Sequence, residues 1–130
     1  IAAGRGYLPQ AFTHGTQQCD NTEKSRRFYV EVLGLEIAAG FNMAQYIKHP
    51  SSPWYIVVLQ RAPRQYLAPV NRFTLQLASK ADVEQAHRDL AAAGKSMGIT
   101  ELGKLETDGG KSNFIFSDLD KNWWELTTGL

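Results

Sequence analysis

The chain has 130 residues, 43% of them apolar, and carries 14 basic against 13 acidic side chains for a formal charge of +1. That is one domain's worth of sequence, with enough apolar residues for a core that needs neither metal nor disulfide staples, and the balanced charge leaves no footprint for nucleic acid or an anionic membrane. No stretch approaches the ~20 apolar residues of a membrane span, the single cysteine, Cys19, excludes an internal disulfide and fits a reducing cytoplasm, and the expected partner is a small molecule.

In chain order, residues 5–10 (RGYLPQ) read as an irregular arm able to cross to a partner chain. FTHGTQQC, residues 12–19, reads as a strand that buries Cys19 as an inert thiol. Residues 20–34 open with Asp20 three positions before Glu23, set Phe28, Tyr29, Val32 and Leu33 on one face, and stop at Gly34, the pattern of a capped amphipathic helix. Three β-like runs follow, LEIAAG, MAQYIKH and WYIVVLQ. RAPRQYLAP, residues 61–69, has two prolines and no periodicity, and is the expected linker.

RFTLQL then opens a second round. Residues 79–94 start with Ser79 three before Asp82, carry Val83, Ala86, Leu90 and Ala91 on one face, and are expected to stop at Gly94. Strand-like segments around ITELGKLE, SNFIFS and WWELTT complete it, while TDGGK, residues 107–111, lacks the spacing of a phosphate loop and reads as a hairpin turn. The order is βαβββ, twice. His14 and Arg72 are 58 residues apart, Asp20 and Ser79 59, Gly34 and Gly94 60, so the halves are an internal repeat in which His-x-Thr-x-Gln returns as Arg-x-Thr-x-Gln. The expected fold is a single α+β domain over 1–130, with modules at about 11–60 and 70–128 joined by 61–69.

With FYVEVLGL closing its first helix and SDLDKNWWEL ending its second half, the repeat resembles the vicinal oxygen chelate superfamily of glyoxalase I, bleomycin-resistance proteins and extradiol dioxygenases. The resemblance covers residues 12–128. It implies two cupped mixed sheets facing a shared ligand cleft, in a protein that commonly pairs as a homodimer.

Alternation along a strand sends i, i+2 and i+4 to one side. Phe73, Leu75 and Leu77 belong under their helix, so Arg72, Thr74 and Gln76 point the other way, and by the repeat so do His14, Thr16 and Gln18. These six are the expected cleft-facing set, although a sheet with one solvated face alternates identically. Glu125 shares a face with Trp123 and Thr127, opposite Trp124 and Leu126, where a carboxylate calls for water, an ion pair or a cation.

In metal-using relatives the resemblance implies ligand positions at His14, Val58, Arg72 and Glu125. Only His14 and Glu125 are ligand types, because valine has no lone pair and guanidinium is a permanently charged donor. Two protein ligands are too few for a catalytic ion. Of the other histidines, His49 reads as a turn residue and His87 as a packing residue on the second helix.

The favoured reading is therefore a cofactor-free cleft for a planar or partly apolar molecule, with aromatic walls from Tyr46, Trp54, Trp123, Phe41 and Tyr55, and with Arg72 paired to Glu125 in the ion's place. The alternative is an enzyme of the same superfamily. It would be a lyase or dioxygenase holding Fe, Mn, Ni or Zn on His14 and Glu125, or a metal-free isomerase, cyclase or lyase with Glu125 or His14 as base and Arg72 as anion anchor.

Overall fold

A computed structural model describes residues 10–41 and 43–129, with Phe41 by its backbone alone; the expected arm, apart from Gln10, and the Phe41 ring lie outside the described residues. The first module runs β1 (His14–Cys19), α1 (Thr22–Glu31), β2 (Glu36–Phe41), β3 (Ala44–Lys48) and β4 (Tyr55–Gln60). The second runs β5 (Arg72–Gln76), α2 (Lys80–Met97), β6 (Glu101–Leu102), β7 (Glu106–Asp108), β8 (Lys111–Ser117) and β9 (Trp123–Thr127). Each module has its own mixed sheet. The order is β1-β4-β3-β2 in one and β5-β9-β8-β6 in the other, with β7 also on β8, and in both the first strand is parallel to the last. The α+β expectation holds.

Four local readings are corrected. The cap of α1 is Asn21, whose side chain accepts the Lys24 amide at 3.0 Å; Asp20 instead turns to Arg64 and to the 118–122 turn. Helix α2 does not stop at Gly94 but runs to Met97 and closes on left-handed Gly98 (φ +102). Gly94 is there for closeness, since a Cβ would lie 2.4 Å from Ile99 Cδ1. Ala91 faces solvent, as the lengthened helix shows its Val83, Ala86 and Leu90 edge to the core. The ITELGKLE run breaks into two short strands, both paired to β8. Ser79 caps α2 as expected, accepting the Asp82 amide at 3.1 Å, and TDGGK makes the β7–β8 hairpin.

Both helices and the inner faces of both sheets share one core. Phe28 and Tyr29 of α1, Val83 and Leu90 of α2, and Phe114, Phe116, Trp124 and Leu126 are its large members. Where the helices end, the sheets meet directly: a Cβ on Gly15 would lie 3.5 Å from the Phe73 ring, and Trp54 and Trp124 both contact that ring with centroids 5.9 and 5.8 Å away. The inner faces of β1 and β5 thus oppose one another, which sends their outer faces in opposite directions.

A buried polar joint also ties the modules. Asp120 takes the Asp20 amide (2.9 Å) and the Ser25 hydroxyl (2.5 Å), while Asp118 takes the Asp120 and Asn122 amides (2.8 and 3.0 Å) and the Trp124 indole (2.9 Å). Arg64, from the linker, its side chain only 5% exposed, brings its guanidinium to Asp20, to the Asp120 carboxylate and to the Asp120 carbonyl. Burial pushes the Asp118 carboxyl up to about 6 and raises Asp120 as well.

Candidate functional site

On the second sheet, register places Thr74 opposite Glu125, Arg72 opposite Trp123, and Ile115 opposite Glu125 on the other side. Alternation turns Arg72, Thr74 and Gln76 outward, all exposed, while Phe73, Leu75 and Leu77 pack on the core. Glu125 sits at the centre of a closed set of donors. Arg72 Nη2 reaches Oε2 at 3.1 Å, Asn113 Nδ2 reaches Oε2 at 3.1 Å, and Thr74 Oγ1 reaches Oε1 at 2.9 Å. Burial alone would raise this carboxyl; the hydrogen bonds from Thr74 and Asn113 and the charge of Arg72 outweigh it and hold Glu125 below the usual carboxylate range.

The outer face of the first sheet is aromatic. His14 stacks on Tyr55 with centroids 5.1 Å apart and planes 9° apart, and Tyr55 stacks on Tyr46 at 4.9 Å and 22°. Thr13 Oγ1 lies 3.0 Å from His14 Nδ1. Thr16 pairs in register with Val57, as Thr74 does with Glu125, so the repeat counterpart of Glu125 is Val57 and not Val58. Val58 faces inward with no exposure.

The expected site residues therefore fall into two groups on two outer faces: His14, Thr16 and Tyr46 on one, Arg72, Thr74, Gln76, Trp123 and Glu125 on the other. Among the described residues, no hydrogen bond, ion pair or ring contact joins His14 to Arg72 or Glu125. Two residues are spent elsewhere. The Gln18 side chain accepts the Gln65 amide of the linker at 3.0 Å, and Trp54 turns inward onto Phe73. Sequence reasoning missed Asn113, whose only signal was a polar residue alternating with Phe114 and Phe116, and it missed the Asp118–Asp120–Arg64 joint.

His49 sits in its turn with Nδ1 accepting the Ser51 amide at 3.1 Å, and His87 packs edge-on to Phe114 with Nε2 2.9 Å from the Gly103 carbonyl. Among the described residues, no three His, Cys, Asp or Glu side chains come together as a cation site. Burial drives the Cys19 thiol up to about 11, as expected of an inert cysteine. No helix among the described residues is long and apolar enough to cross a membrane.

Known structures share this architecture at low identity. The fosfomycin resistance protein FosX from Listeria monocytogenes superposes with a TM-score of 0.74 at 16% identity, covering 95% of this chain and 96% of that one. FosX from Mesorhizobium loti gives 0.68 at 16% identity, with 95% of each chain covered. Lactoylglutathione lyase from Agrobacterium tumefaciens gives 0.66 at 16%, covering 93% and 95%. No curated protein matches the sequence. The sequence profile of the family does match, over residues 11–126, and with the two mixed sheets, each with one helix, it establishes that the chain belongs to the Glyoxalase/Bleomycin resistance protein/Dioxygenase superfamily.

Proposed function

We propose that the protein is a metal-independent binding cleft for a planar or partly apolar small molecule, formed between two copies of the chain. The observation that carries this reading is the Arg72–Glu125 pair with its Thr74 and Asn113 partners. The donor set does not fit an ion. Both oxygens of Glu125 are occupied by protein donors, and Val57, the repeat counterpart of Glu125, offers no lone pair. Each unit of positive charge placed about 4 Å from the guanidinium would also cost about 4 kcal/mol at an effective dielectric near 20. A carboxylate so engaged orients Arg72 rather than abstracting a proton, which weighs against the reading of Glu125 as a general base.

The pairing follows from the two outer faces. A single chain presents the His14–Tyr55–Tyr46 stack on one side and Arg72–Glu125 on the other, and among the described residues β1 and β5 each have a neighbour along one edge only. Two residues before His14 and before Arg72, the repeat partners Phe12 and Val70 are 94% and 77% exposed. A second copy that lays its Arg72 face against the His14 face of the first would unite the site, extend both sheets and cover those apolar residues. In the expected arrangement the one domain spans both modules, and the cell compartment is the cytoplasm.

A Listeria FosX structure is complexed with Mn(II) and sulfate, so metal is the first test. Protein purified without chelator, incubated with Fe(II), Mn(II), Ni(II) or Zn(II) and desalted, should carry far less than one ion per chain, unchanged in His14→Ala and Glu125→Ala. Near-stoichiometric metal that vanishes in both variants would overturn the reading. The shared cleft is tested by mixing His14→Ala with Arg72→Gln chains, since a mixed dimer regains one intact site if the faces meet across chains and none if they do not.

A further inference from the structure

The guanidinium of Arg72 is pinned on two sides and open on a third. Nη1 donates to the Pro69 carbonyl at 3.3 Å and Nη2 to Glu125 at 3.1 Å. Of the five N–H donors of an arginine, three are unspent among the described residues, on a side chain 32% exposed. Glu125 has no comparable freedom, being 14% exposed with three donors on two oxygens. Beside Arg72 on the same face, its register partner Trp123 supplies a flat, half-buried surface.

Other charges on this face lie on β8 and the strands beyond it, where Lys111 opposes Asp108 and Glu106 opposes Asn113 on the hairpin and Glu101 of β6 opposes Ser117. At ~4.8 Å per strand the acids of β6 and β7 are about 14 Å from β5, beyond the ~8 Å over which exposed charges are felt in physiological salt. The open edge of Arg72 therefore lies beside the Trp123 surface with, among the described residues, no competing charge close to it on this face.

Resting on the metal-independent reading above, we propose that Arg72 is the tethered cation of the site and that it receives the carboxylate of a ligand with a planar, apolar body. Two parallel N–H groups match the two carboxylate oxygens, and the body lies against Trp123. Glu125 is a positioning residue in this arrangement: it holds the guanidinium edge-on to the ligand without touching it.

The probes are 2-naphthoate, 2-naphthalenemethanol and 2-naphthalenemethylamine, one body with an anionic, a neutral and a cationic group, titrated into the intact protein by ligand-observed NMR. Naphthoate should bind at least tenfold more tightly than the amine. Arg72→Gln should remove that preference, Arg72→Lys should keep part of it, and Glu125→Gln should weaken naphthoate without adding to the loss in the double variant. Equal or tighter binding of the amine, failure of all three probes to bind, or an Arg72→Gln protein of unchanged melting temperature that still prefers naphthoate would each overturn the proposal. Stoichiometric metal would instead sink the metal-independent reading, whereas an amine preference in metal-free protein sinks only the carboxylate assignment.

Discussion

Lowering the pH from 7.5 to 5 should make this protein more stable. Asp118 has no exposure, and burial raises its carboxyl to about 6 against about 3.9 in the unfolded chain. Between those values the folded state binds the proton and the unfolded state does not, so stability grows as pH falls through 6 and the gain is complete below 3.9. Integrating the two titrations gives a gain of about 1.4 kcal/mol at pH 5, roughly tenfold in the folding constant. Asp120, also raised, pushes the same way. Glu125, lowered by its partners, opposes only near and below its unfolded value, toward pH 4. Urea unfolding followed by tryptophan fluorescence at pH 7.5, 6.5, 5.5 and 5.0 measures the slope, and Asp118→Asn, which cannot titrate, should remove most of it. Stability that is flat or falls from pH 7.5 to 5, or an Asp118→Asn protein that keeps the full slope, would refute the argument.

Gly94→Ala should destabilise by about 1–2 kcal/mol in thermal unfolding: overpacking Ile99, with Cδ1 and Cγ1 2.4 and 2.7 Å from the new methyl, outweighs about 1 kcal/mol of helix propensity. Gly98→Ala forces a side chain to φ +102 at the helix end and should cost about 1–2 kcal/mol, seen as a lower urea midpoint at unchanged slope. Arg64→Met removes the buried cation facing Asp20 and Asp120 and should cost about 3–5 kcal/mol at pH 7.5, with part of the loss recovered at lower pH as Asp120, already raised by burial, takes up a proton.

Much of the architecture was legible because it rests on local rules. The two capped helices, the alternation of RFTLQL and FTHGTQQC and the linker prolines each follow from periodicity and turn chemistry, and the 58-to-60-residue repeat ties them together. The misreadings came where a residue serves a partner outside its own element. Asp20 has the spacing of a cap but answers to Arg64, and Gly94 has the look of a stop but makes room for Ile99. Gln18 has the parity of a cleft residue but is taken by the linker amide of Gln65. For Asp20 and Gln18 the competing interaction lies far outside the window in which periodicity carries information, and for Gly94 it comes from the turn just past the helix, where periodicity has ended.

The site shows the same limit at larger scale. Parity correctly turned His14 and Arg72 away from the core, yet parity is a property of one strand and says nothing about where two strands face relative to each other. That is decided by Gly15 against Phe73 and by the Asp118–Asp120–Arg64 joint, contacts that bring the inner faces together and drive the outer ones apart. A repeat that places matched polar residues at matched positions reads as two walls of one cleft. When the modules pack back to back, it becomes one wall on each side of the chain, and under the pairing proposed above each wall would be met by the opposite wall of a second copy. Arg72, standing where the first module has His14, then has a physical sense within the proposed pairing: a fixed cation with its own counter-carboxylate keeps its geometry before a second wall arrives.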